Sequence, residues 1–170
     1  MDFQQVIRER FSVRQYSDRA VEQEKIDAIL EAGRIAPTAK NLQPFKIYVI
    51  KSEESLRKID KVSPCRYWAN IVLLVCWDQE LAYVNNRWWH STVEMDACIV
   101  ATHMVLEATN QWLGNIRIEL FDRDMLRNEF DLPDNLIPIC LLPIWYKAED
   151  CPMNPSHNVR KSIDELVEYK

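Results

Sequence analysis

Arginine and hydroxyl side chains alternate near the N-terminus, at Arg10, Ser12 and Arg14. In an extended stretch, alternate residues point to the same side, so these three side chains would converge on one point. Guanidinium groups bind phosphate oxygens through paired hydrogen bonds. Far downstream, Arg160 could add a third positive charge. These residues could form a phosphate receptor, but spacing alone favours the alternative of solvated arginines, one of them paired with Glu9 or Asp18.

A second candidate site is the segment 36–44, which carries uncharged polar side chains between two prolines. Its hydroxyl and amide groups could hydrogen-bond the edge of a planar heteroaromatic ring, while its first proline and an alanine lie against a face. The candidate contacts are Pro37, Thr38, Ala39, Asn41 and Gln43. Since asparagine and proline also favour turns, the same segment could be a plain connection from a helix to a strand.

Other familiar chemistries have little support in the sequence. The two glycines, Gly33 and Gly114, are too few for a Rossmann fingerprint, and they lie too far apart for a phosphate-binding P-loop. His90 and His103 each precede a glutamate by four residues, but no third ligand follows at a recognisable spacing, so we predict no metal site. No motif marks a serine or cysteine nucleophile.

Composition sets the class of protein. The chain has 170 residues, 48% apolar and 28% charged, which fits one globular domain over residues 1–170. A net charge of -5 argues against a nucleic-acid partner. The five cysteines are scattered and odd in number, and the start of the chain lacks a secretory profile. Because the longest apolar run, 71–77, is too short to span a bilayer, we expect a cytoplasmic protein without a membrane partner.

Periodicity and breaking residues predict the elements that position the candidate sites. Helices are predicted over 2–10, from about Val21 to Gly33 or one turn later, from Ser52 to about Val62, from Asp122 through Phe130, and over 160–169 on the surface. Strands are predicted at Phe45 to Ile50, Ile71 to Cys76 and Ile137 to Trp145. The mixture indicates an α+β domain.

A central helix is predicted from Trp88 to Gln111. One stripe of it holds Val93, Ala97, Val100, Ala101, Met104, Val105 and Ala108, and other faces carry Met95, Cys98, Ile99 and Leu106. A helix that is apolar nearly all round must be buried on nearly all sides. A chain of this length has few other elements to cover it, so we predict a homodimer; the alternative is a helix tucked under its own sheet.

Taken together, these segments resemble the nitroreductase family of FMN-dependent oxidoreductases, nearly from end to end. Residues 10–16 are similar to that family's R-x-S-x-R-x-[FY] opening, and residues 29–45 are similar to its A-x-x-A-P-[ST]-x-x-N-x-Q-P-[FW] segment. The similarity continues through Asp96-Ala97, Leu106-Glu-Ala, Leu113-Gly114, Leu132-Pro133, the strand from Ile137 to Ile144 and His157-Asn-Val-Arg160.

The resemblance implies a nitroreductase-like α+β fold with a central mixed β-sheet flanked by helices. It also implies a homodimer with two FMN sites at the subunit interface. The phosphate and ribityl end of FMN would be bound by Arg10, Ser12, Arg14 and Arg160. The flavin would be contacted by Pro37, Thr38, Ala39, Asn41 and Gln43, with Gly114 at a turn that brings backbone close to the ring.

The activity implied by the resemblance is a ping-pong reaction. NADH or NADPH would deliver hydride to flavin N5 and leave, and a nitroaromatic, quinone or related acceptor would then take the electrons. No side chain would act as acid, base or nucleophile. The alternative is a family member without turnover, with or without flavin, that acts as an interaction protein. Trp112 and Trp145 favour this alternative, because the family usually has glycine at both positions. Asn115 and Arg117 also depart from the family's pattern.

Overall fold

Side-chain caps start several helices in the computed structural model, which describes residues 1–85 and 90–170. The Asp2 carboxylate accepts a hydrogen bond from the Gln5 amide at 2.9 Å and so caps the first helix. Ser52 and Asp122 cap two further helices in the same way, as their places before apolar, helix-periodic segments predicted.

The helices are α1 (Phe3–Glu9), α2 (Gln23–Arg34), α3 (Glu53–Val62), α4 (Val93–Asn110), α5 (Arg123–Glu129) and α6 (Ile163–Leu166), with short 3-10 turns at Ala39–Asn41 and Pro155–Asn158. The strands are β1 (Phe45–Ile50), β2 (Val72–Asp78), β3 (Val84–Asn85), β4 (His90–Ser91), β5 (Gly114–Asn115) and β6 (Leu136–Trp145). No helix among these described residues is long and apolar enough to cross a membrane.

Four strands form the main sheet, in the order β1-β2-β6-β5, and each neighbouring pair is antiparallel. The extended segment 10–16 lies beside the β5 edge, where Ser12 forms a parallel bridge with Asn115. The predicted α+β class is confirmed. The parallel part of the predicted mixed sheet is this bridge and not a full strand.

Helices cover both faces of the sheet, so its two central strands are buried along almost their whole length. On one face, α2 and α4 pack against each other and against β2 and β6. Gly33 permits the close approach of the two helices, because a Cβ added there would lie 2.9 Å from the Met104 side chain. On the other face, α3 and α5 cover the remaining apolar side chains.

The central helix starts later than predicted. Trp88 lies outside the described residues, and α4 begins at Val93, after His90 and Ser91 have paired with β3. The stripe residues from Ala97 onward are buried as predicted, whereas Met95 and Ile99 remain 48% and 37% exposed on another face of the helix.

The predicted C-terminal surface helix is wrong in its extent. Only Ile163–Leu166 is helical, and every residue from 159 to 170 is exposed. A short helix gains most of its stability from packing an apolar face. The tail contacts too little of its own chain to supply such packing, so the helix is limited to one capped turn.

Candidate functional site

The structure places Arg10, Ser12 and Arg14 on an extended segment at the edge of the sheet. The Val13 amide donates to the Asn115 carbonyl at 2.9 Å, and the Val13 side chain is buried. Because side chains alternate along extended backbone, the inward Val13 leaves its two neighbours on the opposite side. Arg14 Nη1 also donates to the Ser12 carbonyl at 3.2 Å, which draws the guanidinium back over the segment.

Arg10 and Arg160 come together without acidic partners, and with Arg14, which lies on the same segment as Arg10, they are called the arginine cluster. Arg10 is half-buried, and its pKa is lowered by burial and, in addition, by the nearby charge of Arg160. In the described part of the chain, neither of these residues nor Arg14 forms an ion pair within 4.0 Å, so the alternative pairing with Glu9 or Asp18 is wrong. Guanidinium groups brought together in this way repel one another unless an anion lies between them. The donor set therefore fits a phosphate group.

The C-terminal segment lies against the N-terminal segment that holds Ser12 and Arg14. Ser12 and Arg14 line a surface pocket together with residues 151–155. Beyond it, the His157 ring packs edge-on against Phe11, with 6.4 Å between the ring centroids. These contacts bring the exposed tail back to the N-terminal segment, which explains how Arg160 comes near Arg10 although 150 positions separate them.

Tyr67 is a neighbour of this cluster that sequence reasoning missed. Its pKa is raised, chiefly by the Cys65 thiol and by burial, and the adjacent Arg14 guanidinium opposes the rise. Tyr67 and Trp68 both have left-handed backbone, with φ of 55° and 59°, and the Trp68 side chain is 82% exposed. No spacing in the sequence connects position 67 with position 14, because only the tertiary fold brings them together.

The segment 37–43 is a tight loop with unusual backbone. Lys40, Asn41 and Gln43 have φ of 53°, 54° and 52°, although none of them is glycine. Each left-handed residue of this kind costs roughly 1–2 kcal/mol, so other interactions must hold the loop. The Thr38 hydroxyl accepts from the Gln43 amide at 3.0 Å, and the Asn41 and Gln43 side chains are exposed. The uncharged polar groups are thus presented at the surface on a defined backbone.

The two candidate groups lie toward opposite edges of the sheet. The loop 37–43 leads directly into β1 at one edge, while the segment 10–16 lies outside β5 at the other. Four strand spacings separate them, or roughly 19 Å along the sheet. The pocket that holds Ser12 and Arg14 contains none of the loop residues. One chain therefore does not bring both groups into a single pocket.

Gly114 has a packing role in the structure. A Cβ added there would lie 2.8 Å from Val13 Cγ1, so glycine lets the N-terminal segment approach β5 closely. Its predicted proximity to the flavin remains a prediction.

The two tryptophans at family glycine positions differ in their surroundings. Trp145 is buried, and its indole N–H donates to the Ser17 carbonyl at 2.9 Å, so it is part of the core. Trp112 is 66% exposed and has φ of 63° in the turn that ends α4. Its amide donates to the Thr109 carbonyl, and the Leu113 amide donates to the Ala108 carbonyl, both at 2.9 Å. These two hydrogen bonds form a Schellman motif at the end of the helix.

Comparison with known proteins identifies the family of this chain. The model of the Nitroreductase family matches residues 7–72. A protein of Methanothermobacter thermautotrophicus, provisionally named NADH dehydrogenase/NAD(P)H nitroreductase, is 31% identical over 160 residues, which cover 88% of this chain and 80% of that protein. This chain belongs to the nitroreductase family.

Solved structures of nitroreductase-like proteins share the fold. The crystal structure of a nitroreductase family protein from Clostridium difficile superposes with a TM-score of 0.93 at 35% identity, covering 100% of this chain and 99% of that one. A protein of Exiguobacterium sibiricum, provisionally named a nitroreductase and crystallised in complex with FMN, gives a TM-score of 0.86 at 21% identity, covering 100% of this chain and 98% of its own. The predicted nitroreductase fold is confirmed.

Proposed function

We propose that this member of the nitroreductase family is an FMN-dependent oxidoreductase that takes electrons from NADH or NADPH and passes them to nitroaromatic, quinone or related acceptors in a ping-pong reaction. The observation that carries the proposal is the charge of Arg160 beside Arg10, on the segment that also holds Ser12 and Arg14, with no carboxylate within 4.0 Å of any of these arginines in the described chain. Family membership and the FMN complex of the Exiguobacterium protein support flavin as the ligand.

The cofactor-binding residues follow from this proposal. The phosphate and ribityl end of FMN would be held by Arg10, Ser12, Arg14 and Arg160. The flavin would be contacted by Pro37, Thr38, Ala39, Asn41 and Gln43, with Gly114 nearby. Bound FMN would supply the redox chemistry, since it accepts hydride at N5 and returns electrons to an acceptor. The chain would bind, orient and shield it, and the arginines would offset its phosphate charge.

The site would be shared between two copies of the chain. The phosphate residues and the flavin loop lie toward opposite edges of one sheet, so a loop from a second subunit can complete the first subunit's site. Apolar side chains lie exposed on neighbouring helices, with Met95 and Ile99 on α4 and Phe3 and Ile7 on α1. Such side chains favour contact with a second copy, and a twofold dimer is the commonest form of oligomer.

The visible absorption spectrum of the purified protein tests flavin binding, and anaerobic addition of NADH or NADPH tests reduction. We expect a flavin spectrum that bleaches with the nucleotide and recovers when a quinone or nitroaromatic is added. A flavin spectrum that neither nucleotide bleaches would favour the binding protein without turnover. A colourless protein that also fails to bind added FMN would contradict the proposal.

A further inference from the structure

Asp96 is a buried carboxylate on the first turn of α4, and it is 5% exposed. Its Oδ2 accepts the Ala39 amide at 3.1 Å and the Thr92 hydroxyl at 2.9 Å. Among the described residues, Asp96 has no cationic partner. Burying a carboxylate without a cation is unfavourable unless hydrogen bonds compensate. The hydrogen bonds from the Ala39 amide and the Thr92 hydroxyl supply this compensation.

The bond to Ala39 ties the loop 37–43 to the body of the fold. Most other hydrogen bonds of the loop stay within it: the Asn41 amide donates to the Thr38 carbonyl at 2.9 Å, and Gln43 Nε2 donates to the Asn41 carbonyl at 3.0 Å. The Lys40 ammonium lies 4.5 Å from the centre of the Tyr83 ring and gives a second, weaker tie. Asp96 is therefore the hydrogen-bonding link between this strained loop and α4.

We propose that Asp96 is a positioning residue of the flavin site. Its carboxylate holds the Ala39 amide and thereby keeps Lys40 and Asn41 in left-handed backbone before any ligand arrives. A preorganised loop loses less conformational entropy when it binds its ligand. This inference rests on the proposed function, because the loop matters to catalysis only if it contacts flavin. Asp96 itself need not touch the cofactor.

The geometry of these hydrogen bonds suggests variants that keep or remove them selectively. Both donors meet the same oxygen, so Asp96→Asn can keep both bonds through its amide oxygen, whereas Asp96→Ala loses both. Thr92→Val removes one donor and keeps the carboxylate, and it serves if Asp96→Ala does not fold. The matched control is Glu94→Ala, which removes an exposed carboxylate from the same helical turn.

Hydrogen exchange of the Ala39 amide in the FMN-free protein is the first measurement. We expect exchange about tenfold or more faster in Asp96→Ala than in wild type, an intermediate rate in Thr92→Val, and near wild-type rates in Asp96→Asn and Glu94→Ala. Equal exchange in Asp96→Ala and wild type would overturn the link to the loop, whatever the protein binds.

FMN affinity and steady-state kinetics are the second measurement. We expect Kd for FMN to rise about tenfold or more in Asp96→Ala, with recovery in Asp96→Asn. At saturating FMN, kcat should fall more than KM for the nicotinamide donor changes, because the flavin is held but misplaced. Unchanged Kd and kcat, or equal losses in Glu94→Ala, would overturn the inference. Wild-type protein that binds no FMN would overturn the proposed function as well, and the exchange data would still report on the link.

Discussion

At the scale of single residues, Trp112 shows most clearly how backbone conformation governs a side chain's role. A glycine substitution usually costs about 0.5–1 kcal/mol in backbone entropy. At φ of 63° the balance reverses, because a left-handed residue with a side chain costs about 1–2 kcal/mol that glycine avoids. The indole is 66% exposed, so its removal forfeits little packing.

We therefore expect Trp112→Gly to raise the free energy of unfolding by about 1 kcal/mol, or Tm by about 2–4 °C. Thermal or urea unfolding measures the change. The control is Gln111→Gly one residue earlier, where φ is -80° and stability should fall. Equal destabilisation by both variants would show that the Trp112 indole contributes more than its exposure indicates.

The arginine cluster gives a second prediction at this scale. Arg10→Ala or Arg14→Ala should weaken FMN binding by about 1.5–3 kcal/mol, the range for hydrogen bonds to charged groups. Arg57→Ala is the matched control, since that arginine lies on α3 and pairs with Glu53. Fluorescence titration of FMN measures all three, and affinities equal to wild type in both cluster variants would place the phosphate elsewhere.

At the scale of elements, a hydrogen bond between the side chains of Tyr146 and Glu22 links the end of β6 to the start of α2. The Tyr146 hydroxyl donates to Glu22 at 2.7 Å, and Arg19 pairs with the same carboxylate at 2.8 Å. The Tyr146 hydrogen bond first, and then Arg19, lower the pKa of Glu22 to about 2. A carboxyl whose folded pKa is lowered contributes stability above its unfolded pKa, near 4.3, and loses it as pH falls toward the folded value.

Tyr146→Phe should accordingly lower Tm at pH 7. The difference in Tm between variant and wild type should narrow as pH falls from 5 to 2, because Glu22 becomes protonated over that range and the contribution of its hydrogen bond is lost. Tyr48→Phe on β1 is the control, with no hydrogen bond of its hydroxyl to a carboxylate among the described residues. A difference that is the same at pH 5 and pH 2 would mean that Tyr146 acts through packing alone.

The elements also show which structure can be predicted from sequence. The bounds of β1 and the starts of α3 and α5 follow from short-range signals: an apolar run, a serine and an aspartate as caps. The predicted start of α4 is too early, because apolar residues also precede Thr92. In the structure, His90 and Ser91 pair with β3 and the helix begins only at Val93. The predicted extent of the C-terminal helix is wrong because a longer helix there would need a packing partner that the chain does not supply.

The candidate site divides in the same way. Alternation placed Ser12 and Arg14 on one side of an extended segment, since that property is local. The proximity of Tyr67 to Arg14 and the bond from Ala39 to Asp96 depend on the whole fold, and no spacing predicts them.

At the scale of the whole molecule, the exposed apolar face of α4 carries the prediction of a homodimer. Ile99→Glu should convert a dimer at micromolar concentration into a monomer, because a charge in an apolar interface loses hydration. Val49→Glu is a closely matched control, with 38% exposure against 37% for Ile99, on the edge strand β1. Sedimentation velocity distinguishes the two, and a wild-type monomer would remove the basis for a shared site.

Subunit complementation tests the shared FMN site most directly. One variant carries Arg10→Ala and Arg14→Ala, and the other carries Asn41→Ala and Gln43→Ala; each alone should bind FMN weakly. If each site takes phosphate residues from one chain and the flavin loop from its partner, coexpression should restore wild-type affinity in about a quarter of the sites, because about half of the dimers are mixed and each has one intact site. FMN titration of the coexpressed protein counts those sites. Their absence, with mixed dimers present, would contradict a site built from two subunits.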